Sequence, residues 1–161
     1  MKSARVITST NRPIQWISPA GLPCIQPYVS SKPAKEIKSR KMHIDYNKAI
    51  SRVDSRKQSG AFPPNFVHSL DASHMMMTAN RCCSEGINYI SVHDSYWCHG
   101  CDVDRLNVIL KEEFVKMYST NILEDLRQGF LRTNYGIKLD PLPDLGNLDI
   151  KSVLDSDYFF S

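Results

Sequence analysis

A chain of 161 residues is long enough for one domain with a modest core and too short for two large ones. With 42% apolar and 23% charged residues it is not a disordered chain, and no run approaches the roughly 18 uncharged apolar residues of a membrane-spanning helix. Its net charge of +3 is unevenly placed: residues 1–60 carry twelve Lys/Arg against three Asp/Glu, and residues 61–161 carry eight against fourteen. A basic half suits a polyanion and an acidic half suits cations, although two solvated faces of one domain account for the same composition.

Residues 1–35 contain no acid, a composition similar to that of an organelle transit peptide. The local pattern argues against that reading. Ile14-Gln15-Trp16-Ile17 and Leu22-Pro23-Cys24-Ile25-Gln26 flank Ser18-Pro19-Ala20-Gly21, where Pro and Gly suit a tight turn, so a β-hairpin is predicted over 13–28. From Ser31 to Lys57 the chain is polar and basic, with Lys32, Lys35, Lys38, Arg40, Lys41, Lys48, Arg52, Arg56 and Lys57. An exposed strand or loop followed by a short helix over 49–58 is expected there, ended by Gly60. Phe62-Pro63-Pro64 then predicts an extended entry to the next element.

Asn65 suits the cap of a helix over 65–84, stopped by Gly86. Phe66, Leu70 and Met77 mark its apolar stripe, with Val67 and His74 beside it. His68, Asp71 and Met75 recur at i, i+3, i+7 on another face. Ile87 to Val92 alternates like a strand, His93-Asp94-Ser95 interrupts it, and Tyr96-Trp97-Cys98 resumes strand chemistry. That pattern predicts a hairpin with Asp94 at its tip. A helix from an Asp102 cap through Tyr118 is expected to bury Val103, Leu106, Leu110, Phe114 and Met117. A further helix over 120–131 and a short one over 148–154 complete the predicted elements, and no internal repeat appears.

Asp94 is the sharpest candidate for chemistry. A carboxylate at a hairpin tip is held by the sheet and projects from its edge, where a hard cation such as Mg²⁺ can reach it. Local chemistry alone favours the plainer role of serving turn hydrogen bonds. Cys98-His99-Gly100-Cys101, with Cys82-Cys83 upstream, has some zinc character, but a structural site needs four ligands and only one such knuckle is present. Five cysteines of this kind read as free thiols in a reducing, intracellular setting. Met75-Met76-Met77 reads as core filling. A Ser-His-Asp hydrolase is set aside because no Gly-x-Ser-x-Gly elbow is present, and no Walker-type or dinucleotide-type glycine loop occurs.

Several ordered blocks together carry a resemblance. The run from Phe62-Pro63-Pro64-Asn65-Phe66-Val67-His68-Ser69-Leu70-Asp71 through Ala72-Ser73-His74-Met75-Met76 is one block. Val92-His93-Asp94-Ser95-Tyr96-Trp97 is a second, and the terminal Tyr158-Phe159-Phe160-Ser161 a third. The hairpin with Trp16, Pro19, Gly21 and Pro23 precedes them. In this order the sequence resembles, from about Asn11 to Ser161, the C-terminal part of the single-subunit, phage-type DNA-directed RNA polymerases, the mitochondrial ones in particular.

The resemblance implies an α+β fold that is part of a right-hand polymerase: a palm hairpin with flanking helices and part of the fingers, spanning 1–161. It implies DNA-templated RNA synthesis from nucleoside triphosphates by a two-metal mechanism. Asp94 would be the second of two Mg²⁺-binding catalytic aspartates, with His93 and His68 lining the active site and the chain end near it. DNA template, RNA product, nucleoside triphosphates and mitochondrial transcription factors are the implied partners, in the mitochondrial matrix. Lys32, Lys35, Lys38, Arg40, Lys41, Arg52, Arg56 and Lys57 are candidates for contact with the nucleic-acid backbone.

The family's first catalytic aspartate and its nucleotide-gripping Lys/Tyr helix have no counterpart in residues 1–60. Met1 therefore reads as an internal methionine or the start of a partial gene model, and the 161-residue chain by itself is expected to be inactive. The alternative is a non-catalytic nucleic-acid-binding module or truncated product that keeps the palm hairpin without the rest.

Overall fold

The computed structural model describes residues 2–30 and 52–159. Its elements run α1 (Lys2–Ser9), β1 (Gln15–Ile17), β2 (Pro23–Ile25), β3 (Val29–Ser30), β4 (Arg52–Val53), α2 (Ser55–Ser84), β5 (Ile90–Val92), β6 (Ser95–Trp97), α3 (Val103–Tyr118) and α4 (Ile122–Thr133). Short 3₁₀ turns occupy Gly100–Asp102 and Ile150–Asp155. Each sheet is a two-stranded antiparallel pair: β1 with β2, β3 with β4, β5 with β6. The result is a mixed helix and small-sheet architecture, as the α+β expectation requires.

The 30-residue helix α2 is the spine, and it corrects the predicted boundaries. Of the short helix expected over 49–58, residues 49–51 lie outside the described residues, Arg52–Val53 form a strand and 55–58 already belong to α2, and there is no extended entry at Pro63-Pro64. One helix begins at Ser55, capped by Asp54, and passes through Gly60, Pro63 and Pro64; Asn65 lies inside it, its Nδ2 donating to the Tyr28 hydroxyl at 3.5 Å. Each proline lacks an N–H and crowds the preceding turn, so the carbonyls of Ser59 and Gly60 lose their i+4 donors. Tertiary contacts on both sides outweigh that loss. The Asp54 carboxylate accepts from the backbone N–H of Arg56 and Lys57 at 3.1 and 3.0 Å.

One turn on, the buried Gln58 ties three segments together. Its Oε1 accepts from Ile14 N–H at 3.1 Å, and its Nε2 donates to the carbonyls of Gln26 and Tyr28 at 3.0 and 3.1 Å. The Gln26 amide returns a bond to the Gln58 carbonyl at 3.0 Å.

The β1–β2 hairpin forms as predicted, with Trp16 opposite Cys24 and the turn closed by Gly21 N–H donating to the Ser18 carbonyl. Gly21 sits at φ +85°, which a residue with a Cβ adopts only with strain. Trp16 points onto α2, edge-on to Phe62 and Phe66 at 5.6 and 6.1 Å, and its indole N–H donates to Ser69 Oγ at 2.9 Å. With Ala4, Ile7, Ile14, Leu70, Met117 and Phe130 these rings form the larger core cluster. Helix α1 is absent from the sequence-based expectation although its segment is amphipathic: Ala4, Ile7 and Thr8, at i, i+3 and i+4, bury one stripe.

A second cluster gathers Cys82 at the end of α2 with Leu106, Ile109 and Leu110 of α3. The predicted stripe of α3 needs revision: Val103 is half exposed, Phe114 only partly buried, and Ile109, Glu113 and Val115 are buried as well. The helix packs on α2 along one side and on the C-terminal 3₁₀ turn along another, which widens its buried band. Asp102 stands at the N-cap position but makes no capping side-chain bond. In α4, Asn121 caps through Glu124 N–H at 3.2 Å, and Phe130 carries the helix into the first cluster.

Candidate active site at the hairpin tip

The segment after Gly86 alternates apolar and polar residues, and the alternation sorts the faces of the β5–β6 hairpin. Ile90 pairs with Trp97, Ser91 with Tyr96 and Val92 with Ser95, leaving His93 and Asp94 as a two-residue tip. His93 adopts φ +54°, the left-handed backbone that a turn matched to strand twist requires at its first central position. Both tip side chains are exposed. The acid expected at the tip is therefore at the tip.

Tyr96 anchors the inner face. It packs on the second cluster, 6.0 Å from the Tyr89 ring and 6.4 Å, edge-on, from His74 of α2. Burial, with the nearby Tyr89, Asp71 and Asp94, pushes its phenol up to about 12, so it stays protonated and neutral. His74 in turn sits among aromatics, 5.7 Å from Phe114 and 6.5 Å from Phe159, with a ring nitrogen 2.9 Å from the Leu110 carbonyl. Lys111 Nζ donates to the Ser156 carbonyl and fastens the C-terminal segment beside this cage. The hairpin bearing Asp94 is thus braced by α2, α3 and the chain end. The sequence placed His74 beside the apolar stripe of the helix but carried no signal for its aromatic partners on α3 and near the C-terminus.

Between the hairpin and α3, a cleft of about 360 Å³ runs from Asp94 along Ser95, Tyr96 and Trp97 to Val103, Leu106, Asn107 and Leu110. The remaining expected residues lie on other elements or outside the described residues. His68 is exposed on α2, six residues before His74. Arg52, Arg56 and Lys57 cluster at the start of α2, whose rise of about 1.5 Å per residue puts Arg56 roughly 27 Å from His74 along the helix. Lys32, Lys35, Lys38, Arg40 and Lys41 lie outside the described residues.

Cys82 is buried while Cys83 and Cys101 are exposed, and burial pushes the thiols of Cys82 and Cys98 up. No group of three or more metal-ligating side chains gathers among the described residues. Among them, too, no helix is long and apolar enough to cross a membrane.

Similarity to known proteins bears on what this hairpin belongs to. Residues 2–136 match the family model of DNA-dependent RNA polymerase. The chain is 47% identical over 158 residues to DNA-directed RNA polymerase 2, chloroplastic/mitochondrial, of Arabidopsis thaliana, which covers 98% of this chain and 16% of that relative. It is 45% identical over 159 residues to DNA-directed RNA polymerase 1B, mitochondrial, of Nicotiana tabacum, covering 98% and 16%. Against DNA-directed RNA polymerase 2A of the same plant the identity is 46%, covering 98% and 47%. The chain therefore spans only about a sixth of the length of most of these relatives, but nearly all of it takes part in the likeness. With the family model matching most of its length, the chain belongs to the DNA-dependent RNA polymerase family.

Proposed function

We propose that this chain serves as the C-terminal palm and fingers portion of a single-subunit polymerase that makes RNA on a DNA template from nucleoside triphosphates, in mitochondria. The observation that carries the reading is the exposed carboxylate of Asp94 at the tip of a braced hairpin, within a chain of this family.

The donor set fits a hard divalent cation. A carboxylate oxygen is the ligand Mg²⁺ prefers, and one carboxylate with open solvent around it matches an ion that keeps several waters and takes one or two protein carboxylates plus phosphate oxygens. Asp94 would hold one ligand position of such an ion, which would supply charge neutralisation for in-line attack of a 3′ hydroxyl on an α-phosphate. His93, set by its left-handed backbone, would face the end of the growing RNA, and His68 would line the same site. The hairpin, backed by Tyr96 and His74, would keep the carboxylate from recoiling as charge develops.

The other ligands, including the first of the two catalytic aspartates, would come from the polymerase outside these residues, so the 161-residue chain by itself is inactive in this reading. Lys32, Lys35, Lys38, Arg40, Lys41, Arg52, Arg56 and Lys57 would contact nucleic-acid backbone, and mitochondrial transcription factors would be partners of the whole enzyme.

The test is Asp94→Asn in the polymerase that contains this chain. Amide replaces carboxylate at constant shape, so nucleotide incorporation should fall on the order of 10³-fold while template binding holds. Retained incorporation would favour a module that binds nucleic acid without catalysis.

A further inference from the structure

The positive charge at the start of α2 is not a property of one segment. Arg56 and Lys57 occupy the first turn of that helix, which contains no acid, so they sit against the helix dipole at its unfavourable end. The neighbouring Asp54 is committed to capping the two backbone N–H groups. Two contacts bring distant chain to this point. Thr8 Oγ1 of α1 shares a hydrogen bond with Ser55 Oγ at 2.6 Å, and Val53 N–H donates to Asn11 Oδ1 at 2.9 Å. They carry Arg5, one turn before Thr8, and Arg12, next to Asn11, into the neighbourhood of Arg52, Arg56 and Lys57.

All five side chains are exposed, and only Arg12 makes a side-chain bond, to the Thr133 carbonyl at 2.8 Å. The ion pairs among the described residues use Arg81, Arg105, Lys116 and Arg127 instead.

We propose that Arg5, Arg12, Arg52, Arg56 and Lys57 form one binding surface for the phosphodiester backbone of nucleic acid, assembled from α1, the loop after it, β4 and α2. Charges that repel one another and oppose a helix dipole are balanced when they neutralise phosphates and release counterions. Such a surface positions a strand without reading its bases. The nature of the polyanion rests on the polymerase reading above; the surface itself rests on the geometry.

The test uses the 161-residue chain and fluorescence anisotropy of labelled single-stranded RNA, single-stranded DNA and duplex DNA, in separate arms between about 50 and 200 mM salt. Arg5→Gln with Arg12→Gln, remote in sequence from the basic run, should weaken binding about tenfold or more and reduce the slope of log affinity against log salt by about 2. Arg56→Gln with Lys57→Gln should do the same, and Arg5→Lys with Arg12→Lys should restore it.

Circular dichroism checks that helicity is unchanged; should the first pair perturb it, the second pair carries the reading. The arm in which the loss appears identifies the strand. Affinity and slope at wild-type values in both pairs on all three nucleic acids would overturn the surface, as would a loss seen only on vesicles of anionic phospholipid. A polymerase with Asp94→Asn that still incorporated nucleotides would sink the catalytic reading and leave these isotherms as they are.

Discussion

At position 74 a helix that packs against another helix carries an imidazole where an aliphatic side chain would bury at less cost. Burial pushes the His74 pKa below its ordinary 6.5; the Leu110 carbonyl and the charges of Glu113 and Asp71 oppose that shift without cancelling it. The folded state therefore binds a proton less readily than the unfolded chain. Stability is complete above about pH 6.5 and is lost as pH falls from there toward the lowered value. Thermal midpoints measured by circular dichroism should drop between about pH 7 and 5, and His74→Gln should flatten that part of the curve. A second loss belongs to Glu85. Hydrogen bonds from Arg105 and Arg81 hold its carboxyl at about 2 against an ordinary 4.5, so its contribution is present above 4.5 and disappears as pH falls toward 2. That acid limb should survive in the His74 variant. A curve that keeps its neutral-range slope in His74→Gln would place the titration on another group.

Among the elements, α2 concentrates both the energetics and the limits of reading a sequence locally. Asp54→Ala removes an N-cap and should cost about 1 kcal/mol, while Gln58→Ala strands the buried Ile14 N–H and Gln26 carbonyl and should cost about 3 kcal/mol, the Tyr28 carbonyl keeping its bond from Asp54 N–H. Pro63→Ala returns an N–H to the Ser59 carbonyl and should stabilise by about 2 kcal/mol after the looser unfolded chain is allowed for. Urea midpoints of the three variants check all of these, and a destabilised Pro63→Ala would mean that the ring itself packs. The same residues explain what the sequence concealed. Gly60, Pro63 and Pro64 are local stop signals, and the contacts that overrule them come from Gln26, Tyr28 and Trp16, more than thirty residues away. Both longer hairpins were legible because their signals are local: Pro19 and Gly21 in one turn, strand formers around a polar pair in the other. The tip position of Asp94 followed from that pattern, and the aromatic brace behind it did not, since ring contacts between α2, β6, α3 and the chain end have no sequence period.

Across the whole molecule, two core clusters share their walls. Helix α2 gives Phe66 and Leu70 to the first and Cys82 to the second; α3 gives Met117 to the first and Leu106, Ile109 and Leu110 to the second. Neither cluster can open fully without loosening a helix that the other also needs, so the two should melt as one cooperative unit. Phe130→Ala empties a site in the first cluster and should cost about 3–5 kcal/mol, and Ile109→Ala in the second about 2–5 kcal/mol. The decisive measurement is where each loss is felt. In a Trp97→Phe background, Trp16 fluorescence reports the first cluster and near-ultraviolet tyrosine dichroism, to which the packed Tyr89 and Tyr96 contribute, the second, and each variant should shift both signals to the same lower midpoint. If Ile109→Ala moved the tyrosine signal while Trp16 kept its wild-type midpoint, the hairpin with Asp94 would be an independently opening unit and the shared helices would not couple it to the basic end. Coincident transitions would mean that the carboxylate is held in place by the fold as a whole, roughly 27 Å of α2 included.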